Sequence, residues 1–303
     1  MASWKEIKRK IKSIKNTWKI TRAMELISTV KMKKAQELAV SKREFVLEIL
    51  KVFTRIEPFL NDMPFFKKQE EWKTLWVIVA SNKWLCWGYN INIFKKVSEY
   101  VKENNEENIE YITLGKKAAG FVARTWNDIV ADFSSTFTDN IQSNFSRNIS
   151  RMITDNFISG KNNKVVVFYN HFINTISQTA VSREFLPIEA FEIKKYLISI
   201  VWEHYDLKKE LSSENISNYE IEPSIEDMAE HVIPMILDMM FFDILLEAKA
   251  SEHSSRMIAM KNAKDNAKKI ADDLTLVYNK ARQASITREV SEITAWVESM
   301  KDI

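Results

Sequence analysis

Glycine is scarce in this chain of 303 residues. There are four, at positions 88, 115, 120 and 160, where average usage of about 7% would give roughly twenty. A helix-rich chain explains part of that shortage, but not the nine tryptophans beside it. Cysteine is nearly absent: Cys86 stands alone, which excludes an internal disulfide and fits a reducing compartment. No run of about eighteen apolar residues occurs, so no segment reads as a membrane-spanning helix. The N-terminus has no apolar signal core. It is basic and amphipathic, as a transit peptide can be, but Glu6 and the few Ser and Arg argue against that. The fingerprints of chemistry are missing too. There is no GxxxxGK[ST] phosphate loop, no GxGxxG after the first strand, and no GxSxG elbow. His171, His204, His231 and His253 have no second His, Cys or carboxylate at metal-ligand spacing. No catalytic residue, cofactor site or metal site is expected, and Cys86 reads as a small packed residue.

What is present is helix at both ends. Residues 224–303 contain no glycine and one internal proline, Pro234. Met260, Ala263, Ala267, Ile270, Leu274, Val277, Ala281 and Ala284 alternate at spacings of three and four, the seam of a coiled coil. Ile286, Val290, Ile293, Val297 and Met300 continue two residues out of phase, a slip that turns another face outward. Eighty residues of helix span about 120 Å, too long to lie within one domain, so the helix is expected to project. Ser224 is the expected N-cap and Pro234 is expected to kink the first turns. At the other end, residues 3–57 read as one helix, with Ser3 and Glu6 as a capping box and Pro58 closing it. Ile7, Ile11, Ile14 and Trp18 form one stripe, and Leu38, Phe45, Ile49, Val52 and Ile56 another. Ile20, Met24, Ile27 and Val30 shift the phase between them. Two such helices, each with a narrow apolar face, are best satisfied by pairing, and the domain between them makes the pairing antiparallel. Residues 1–43 carry thirteen Lys and Arg against three Glu, although the whole chain is only +3. A basic start of this kind suits nucleic acid, anionic lipid or an acidic protein partner.

Between the helices, apolar runs of strand length alternate with helical spacing. Residues 75–81, 111–114, 129–133 and 164–170 read as strands, with 176–185 as a hairpin partner of the last. Residues 90–103, 115–125 and 139–159 read as helices. The expected fold is therefore α/β plus a long antiparallel coiled coil, with a central Rossmann-like domain and a mostly parallel sheet. The expected boundaries are a helix over 1–58, the α/β domain over 70–207, a polar loop over 208–222 and the C-terminal helix over 223–303.

Two stretches carry a resemblance. KEIKRKIKSIKNTWKITRAMELISTVKMKKAQ, from Lys5 to Gln36, is similar to the N-terminal signature of the gamma subunit of the F-type ATP synthase. LLEAKASEHSSRMIAMKNAKDNAKKIADDLTLVYNKARQASITREVSEI, from Leu245 to Ile293, resembles that family's C-terminal signature nearly word for word. SNKWLCWGYNINIFKK, from Ser81 to Lys96, resembles the loop and helix after its first strand, and residues 100–217 match only in pattern. The resemblance implies a rotor shaft of terminal helices inside a hexamer of alpha and beta subunits. The α/β domain would lie against the epsilon subunit and the membrane c-ring, at the cytoplasmic face of a bacterial cell membrane. It implies hexamer contacts at Met24, Lys31, Lys33 and Lys34 on the first helix, and at Arg282, Gln283 and Thr287 on the last. It also implies that the segment from Val290 onward is a low-friction axle. No nucleic acid or cofactor is implied.

The chain departs from the family in its tryptophans. The family usually has glycine where Trp84 and Trp87 stand, and commonly at the positions of Trp4, Trp18, Trp126 and Trp296. A tight strand-to-helix turn wants glycine, and tryptophan there would be strained. Two readings stand: UGA codons that mean glycine, translated as tryptophan, which would explain the shortage and the excess together, or tryptophan substitutions particular to this lineage. Two alternative functions are a coiled-coil tether or nucleic-acid-binding scaffold, with binding steeply dependent on salt, and a nucleotide-binding enzyme using the stretch after the first strand.

Overall fold

The computed structural model describes residues 4–67, 73–104, 108–125, 128–201, 211, 222 and 224–301. Ser3, Trp126 and most of the expected loop at 208–222 lie outside the described residues. Two compact units are present: residues 30–255, and residues 1–29 together with 256–303.

The larger unit is built on a five-stranded sheet in the order β3-β2-β1-β4-β5. Its strands are β1 (Thr74–Val79), β2 (Ile109–Leu114), β3 (Ile129–Asp132), β4 (Lys164–Phe172) and β5 (Gln178–Leu186). β1 pairs in parallel with β2 and β4, β2 in parallel with β3, and only β5 runs antiparallel, beside β4. Both faces of the sheet are covered, which is why β1 is buried along its whole length and reads as a continuous apolar run. Trp76, Ile78 and Ala80 pack under α3 (Trp87–Asn104) and α4 (Lys116–Arg124). Leu75, Val77 and Val79 face a larger core shared with α2 (Arg43–Ile56), α5 (Ser143–Ile158), α6 (Ala190–Val201) and the start of α7 (Ile225–Lys301). Trp76 is fully buried, with Tyr100, Tyr111 and Phe168 around its ring.

One glycine has a strict steric reason. Gly115 joins β2 to α4 at φ +101°, and a Cβ there would lie 2.1 Å from the Ala80 carbonyl oxygen. The strain expected at the tryptophans of the β1–α3 turn falls elsewhere. The positive φ belongs to Leu85, at 73°, while the Trp84 side chain lies exposed with the Lys117 ammonium 3.0 Å from its ring centroid.

The first helix is two helices, which corrects the single rod expected over residues 3–57. α1 (Trp4–Val40) ends in a turn at Ser41 and Lys42, and α2 begins at Arg43. No glycine or proline marks the break. The Ser41 hydroxyl caps the Leu38 carbonyl at 3.0 Å, and the Lys42 ammonium pairs with Asp243 of α7. α6 was not anticipated as an element. α7 starts as expected: Ser224 Oγ accepts the Asp227 N–H at 3.0 Å and donates to its carboxylate at 2.7 Å. The helix continues through Pro234 to Lys301.

In the smaller unit, α1 and α7 pair antiparallel: Trp4 meets Tyr278 and Glu25 meets Lys264, so ascending numbers on one helix meet descending numbers on the other. The seam differs from the expected one. On α7 the covered positions are Met260, Ala263, Lys264, Ala267, Ala271, Leu274, Thr275, Tyr278, Ala281 and Ser285, a stripe broader than the expected one. Ile270 and Val277 are 48% and 52% exposed. The expected positions Met260, Ala263, Ala267, Leu274 and Ala281 are covered, and the difference falls at 270, 277 and 284, where the next residue is covered instead; at the first of these small Ala271 permits close approach and a bulkier Ile270 does not. On α1, the stripe of Ile7, Ile11, Ile14 and Trp18 continues without a phase shift through Thr21, Glu25 and Ser28. Ile20, at 60% exposure, Leu26 and Ile27 are left uncovered.

Candidate functional site

The larger unit holds a charged hub outside the carboxyl ends of β1 and β4. Strand order reverses between these two strands, and open α/β sheets bind their ligands in the crevice at such a point. Here α7 lies against it. Ser251 Oγ donates to the Asn170 carbonyl of β4 at 2.9 Å, and Asn170 Nδ2 donates to the Tyr89 carbonyl of α3 at 2.9 Å. Further along, the Ser254 hydroxyl donates to the Thr175 carbonyl, and Gln178 Nε2 donates to Ser254 Oγ at 3.2 Å. Residues 249–254 of α7 are buried on every side, although five of the six are polar or charged.

Asp139, on the connection from β3 to α5, is the centre. Its Oδ2 accepts from Lys31 Nζ of α1 at 2.6 Å and from Lys83 Nζ, just after β1, at 2.9 Å. Its Oδ1 lies 3.9 Å from Lys249 Nζ and 3.8 Å from His253 Nε2, both on α7. Lys249 is almost wholly buried. It donates to Glu252 at 3.0 Å, and its ammonium lies 3.9 Å from the Phe137 ring centroid. Asn82 ties the two loops together: its Nδ2 donates to the Phe137 carbonyl at 2.6 Å, and its Oδ1 accepts the Lys116 N–H at 2.8 Å. Burial alone would raise the Asp139 carboxyl. The hydrogen bonds from Lys31 and Lys83 and the charges of Lys249 and His253 outweigh it and hold the group well below the usual carboxylate range. One carboxylate therefore joins both terminal helices to two loops of the sheet. Among the described residues no group of three or more His, Cys, Asp and Glu could hold a metal ion.

The seven residues expected to meet a partner are divided between the units. Met24 is half-buried on α1, and Arg282, Gln283 and Thr287 are exposed on α7, all in the smaller unit. The Arg282 guanidinium lies 5.9 Å from the Tyr278 ring centroid. Lys31, Lys33 and Lys34 belong to the larger unit. Lys33 and Lys34 are exposed, while Lys31 is held by Asp139. The smaller unit also exposes apolar side chains. From Ile286 to Met300 every described side chain of α7 is exposed, including Ile286, Val290, Ile293, Trp296, Val297 and Met300. The hub itself was not anticipated. Asp139 lies more than a hundred residues from its partners Lys31, Lys249 and His253, and the local trace is the polar run Lys249–Ser254 inside an otherwise amphipathic helix.

A protein-family model described as ATP synthase matches residues 3–300. The chain is 35% identical over 300 residues to the ATP synthase gamma chain of Xanthomonas axonopodis pv. citri, covering 97% of this chain and 98% of that one. It is 36% identical over 299 residues, with the same coverage, to the ATP synthase gamma chain of Stenotrophomonas maltophilia. Its fold is similar to a chain of the Euglena gracilis mitochondrial ATP synthase solved as OSCP/F1/c-ring in rotational state 3. The TM-score is 0.61 at 17% identity, over 98% of this chain and 94% of that one.

Proposed function

The chain belongs to the ATP synthase gamma chain family, and we propose from that premise that it is the central-stalk rotor of a proton-translocating F-type ATP synthase. It has no catalytic site of its own. It carries torque between the membrane c-ring and the catalytic beta subunits, in ATP synthesis or hydrolysis. Its partners are the alpha and beta subunits around the paired helices, and the epsilon subunit and c-ring against the sheet domain. It is peripheral to the membrane, at the cytoplasmic face of a bacterial cell. No described helix is long and apolar enough to cross a membrane.

The observation that carries this reading is the apolar surface that α1 and α7 leave uncovered: Ile20, Leu26 and Ile27 on one, and the stretch from Ile286 to Met300 on the other. A pair of helices this apolar outside its own seam needs surrounding protein. Met24, Arg282, Gln283 and Thr287 lie beside those stripes and contact the hexamer, and the basic Lys31, Lys33 and Lys34 suit acidic loops at its lower edge. A shaft shifts a catalytic site between states only by touching those states differently. The two seams supply the asymmetry, since the uncovered stripes of α1 and α7 carry different side chains.

Affinity capture of the full-length chain from its host tests the role. Alpha, beta and epsilon subunits should elute with it in fixed proportion. Recovery without them, or with nucleic acid in a salt-sensitive manner, would support the tether or nucleic-acid scaffold instead.

A further inference from the structure

We propose that His171 and Glu247 form a pH-sensitive clasp between the sheet and the C-terminal helix, tight while the imidazole carries its proton and weakened once that proton leaves. His171 is on β4 and Glu247 on α7, and His171 Nδ1 lies 2.7 Å from Glu247 Oε2. They form part of the wall of an open cavity of about 570 Å³ within the larger unit. The imidazole is 47% exposed on its side chain, so protons reach it from solvent without any opening of the fold.

The surrounding charges are otherwise committed to one another. On α7, Asp243 accepts from the Tyr196 hydroxyl of α6 at 2.5 Å and pairs with Lys42. On α6, Lys195 lies 3.5 Å from Glu192. On β5, the Arg183 guanidinium lies 6.0 Å from the Tyr196 ring centroid. Arg43 of α2 and Tyr169 of β4 complete the ionisable lining. Burial pushes the Tyr169 hydroxyl up to about 12 and the Tyr196 hydroxyl well above its ordinary value, so neither ionises near neutral pH. Burial also raises the Asp243 carboxyl, against the pull of Lys42 and Tyr196. His171 is raised above its ordinary 6.5 by the hydrogen bond to Glu247, against burial and the Arg183 charge. A raised histidine stabilises the fold fully below the unfolded value, and that contribution fades as pH rises through the folded one. The clasp therefore loosens toward alkaline pH, on the strand next to the hub that fixes α7.

Histidine-ring NMR of the full-length chain, with H171Q to assign the signal, tests the clasp. His171 should titrate above 6.5, and E247Q should shift its midpoint down. Thermal melting adds a readout that a merely structural contact would not move. Between pH 6 and 8.5 the wild type should lose about 2 °C more than H171Q, in which glutamine keeps a hydrogen bond but cannot titrate. An unchanged midpoint in E247Q, or parallel melting profiles of wild type and H171Q, overturns the proposal. Neither measurement depends on rotation, so the clasp and the rotor role stand or fall separately.

Discussion

Asp139 makes the sharpest residue-scale statement, because one carboxylate holds Lys31 of α1 and faces Lys249 and His253 of α7. Replacing it by Asn leaves a nearly buried lysine beside an uncharged group, and D139N should cost about 2 kcal/mol in urea unfolding at pH 7. The sign of its pH dependence is fixed by the depressed carboxyl. Its contribution is present above the unfolded value, near 3.8, and is lost as pH falls toward the folded one. The gap between wild type and D139N should therefore narrow on acidification below pH 4. A gap that stays constant would mean that the hub is held by packing and not by charge. None of this was legible in the sequence, since the partners on α1 and α7 pair with Asp139 across more than a hundred residues and each alone reads as a solvated charge.

The tryptophans give a second test at this scale. Trp76 has a built environment, fully buried among three aromatic rings, whereas Trp84 and Trp296 are exposed by more than two-thirds. If UGA in the host means glycine, intact-mass spectrometry of native protein should show each affected position lighter by the Trp–Gly difference, with Trp76 retained. A native mass equal to that of the sequence as written would end that reading. The turn after β1 is consistent with either residue at 84, because it is Leu85 that takes the positive φ.

At the scale of elements, the helices show how far periodicity reaches. The stripe from Ile7 to Trp18 and the shared positions Met260, Ala267, Leu274 and Ala281 were readable, because apolar side chains at heptad spacing mark a seam. The intermediate positions were not. Hydrophobicity favoured Ile270 and Val277, but the pairing buries Ala271 and half-covers Tyr278, and on α1 it buries Thr21 and Ser28 while exposing Ile20 and Ile27. Small or hydroxyl-bearing residues let two helices approach, so the seam follows shape, and the bulkier apolar residues remain for another surface. Charge placed on either side of this divide should separate the two. A271E should destabilise the isolated chain by about 2 kcal/mol in thermal melting, and I270E should stay within about 0.5 kcal/mol. Equal losses would return Ile270 to the seam. β1 and β4 were legible for the opposite reason, since strands covered on both faces are apolar throughout. The break at Ser41 was hidden because a tertiary ion pair at Lys42, and no helix-breaking residue, accompanies it.

At the scale of the whole molecule, the topological switch point of the sheet is filled by the chain's own helix. The place where such sheets bind nucleotides is occupied by Lys249–Ser254 of α7, hydrogen-bonded to β4 and paired with Asp139. What is a binding crevice in an enzyme becomes a joint. α7 is a single helix from Ile225 to Lys301, with Pro234 near its start. The fold class was readable from the alternation of strands and helices, and the family from its terminal signatures, but the use of the switch point as an anchor needed the structure. The most direct test is single-molecule rotation of the assembled complex, with the beta subunits fixed and a bead on a cysteine placed at Ile176. Ile176 is 83% exposed at the tip of the β4–β5 hairpin, far in sequence from the helix termini. On addition of ATP the bead should turn in one direction, and D139N should weaken or stall it. A bead that stays still while the same complex hydrolyses ATP would contradict the central-stalk rotor role.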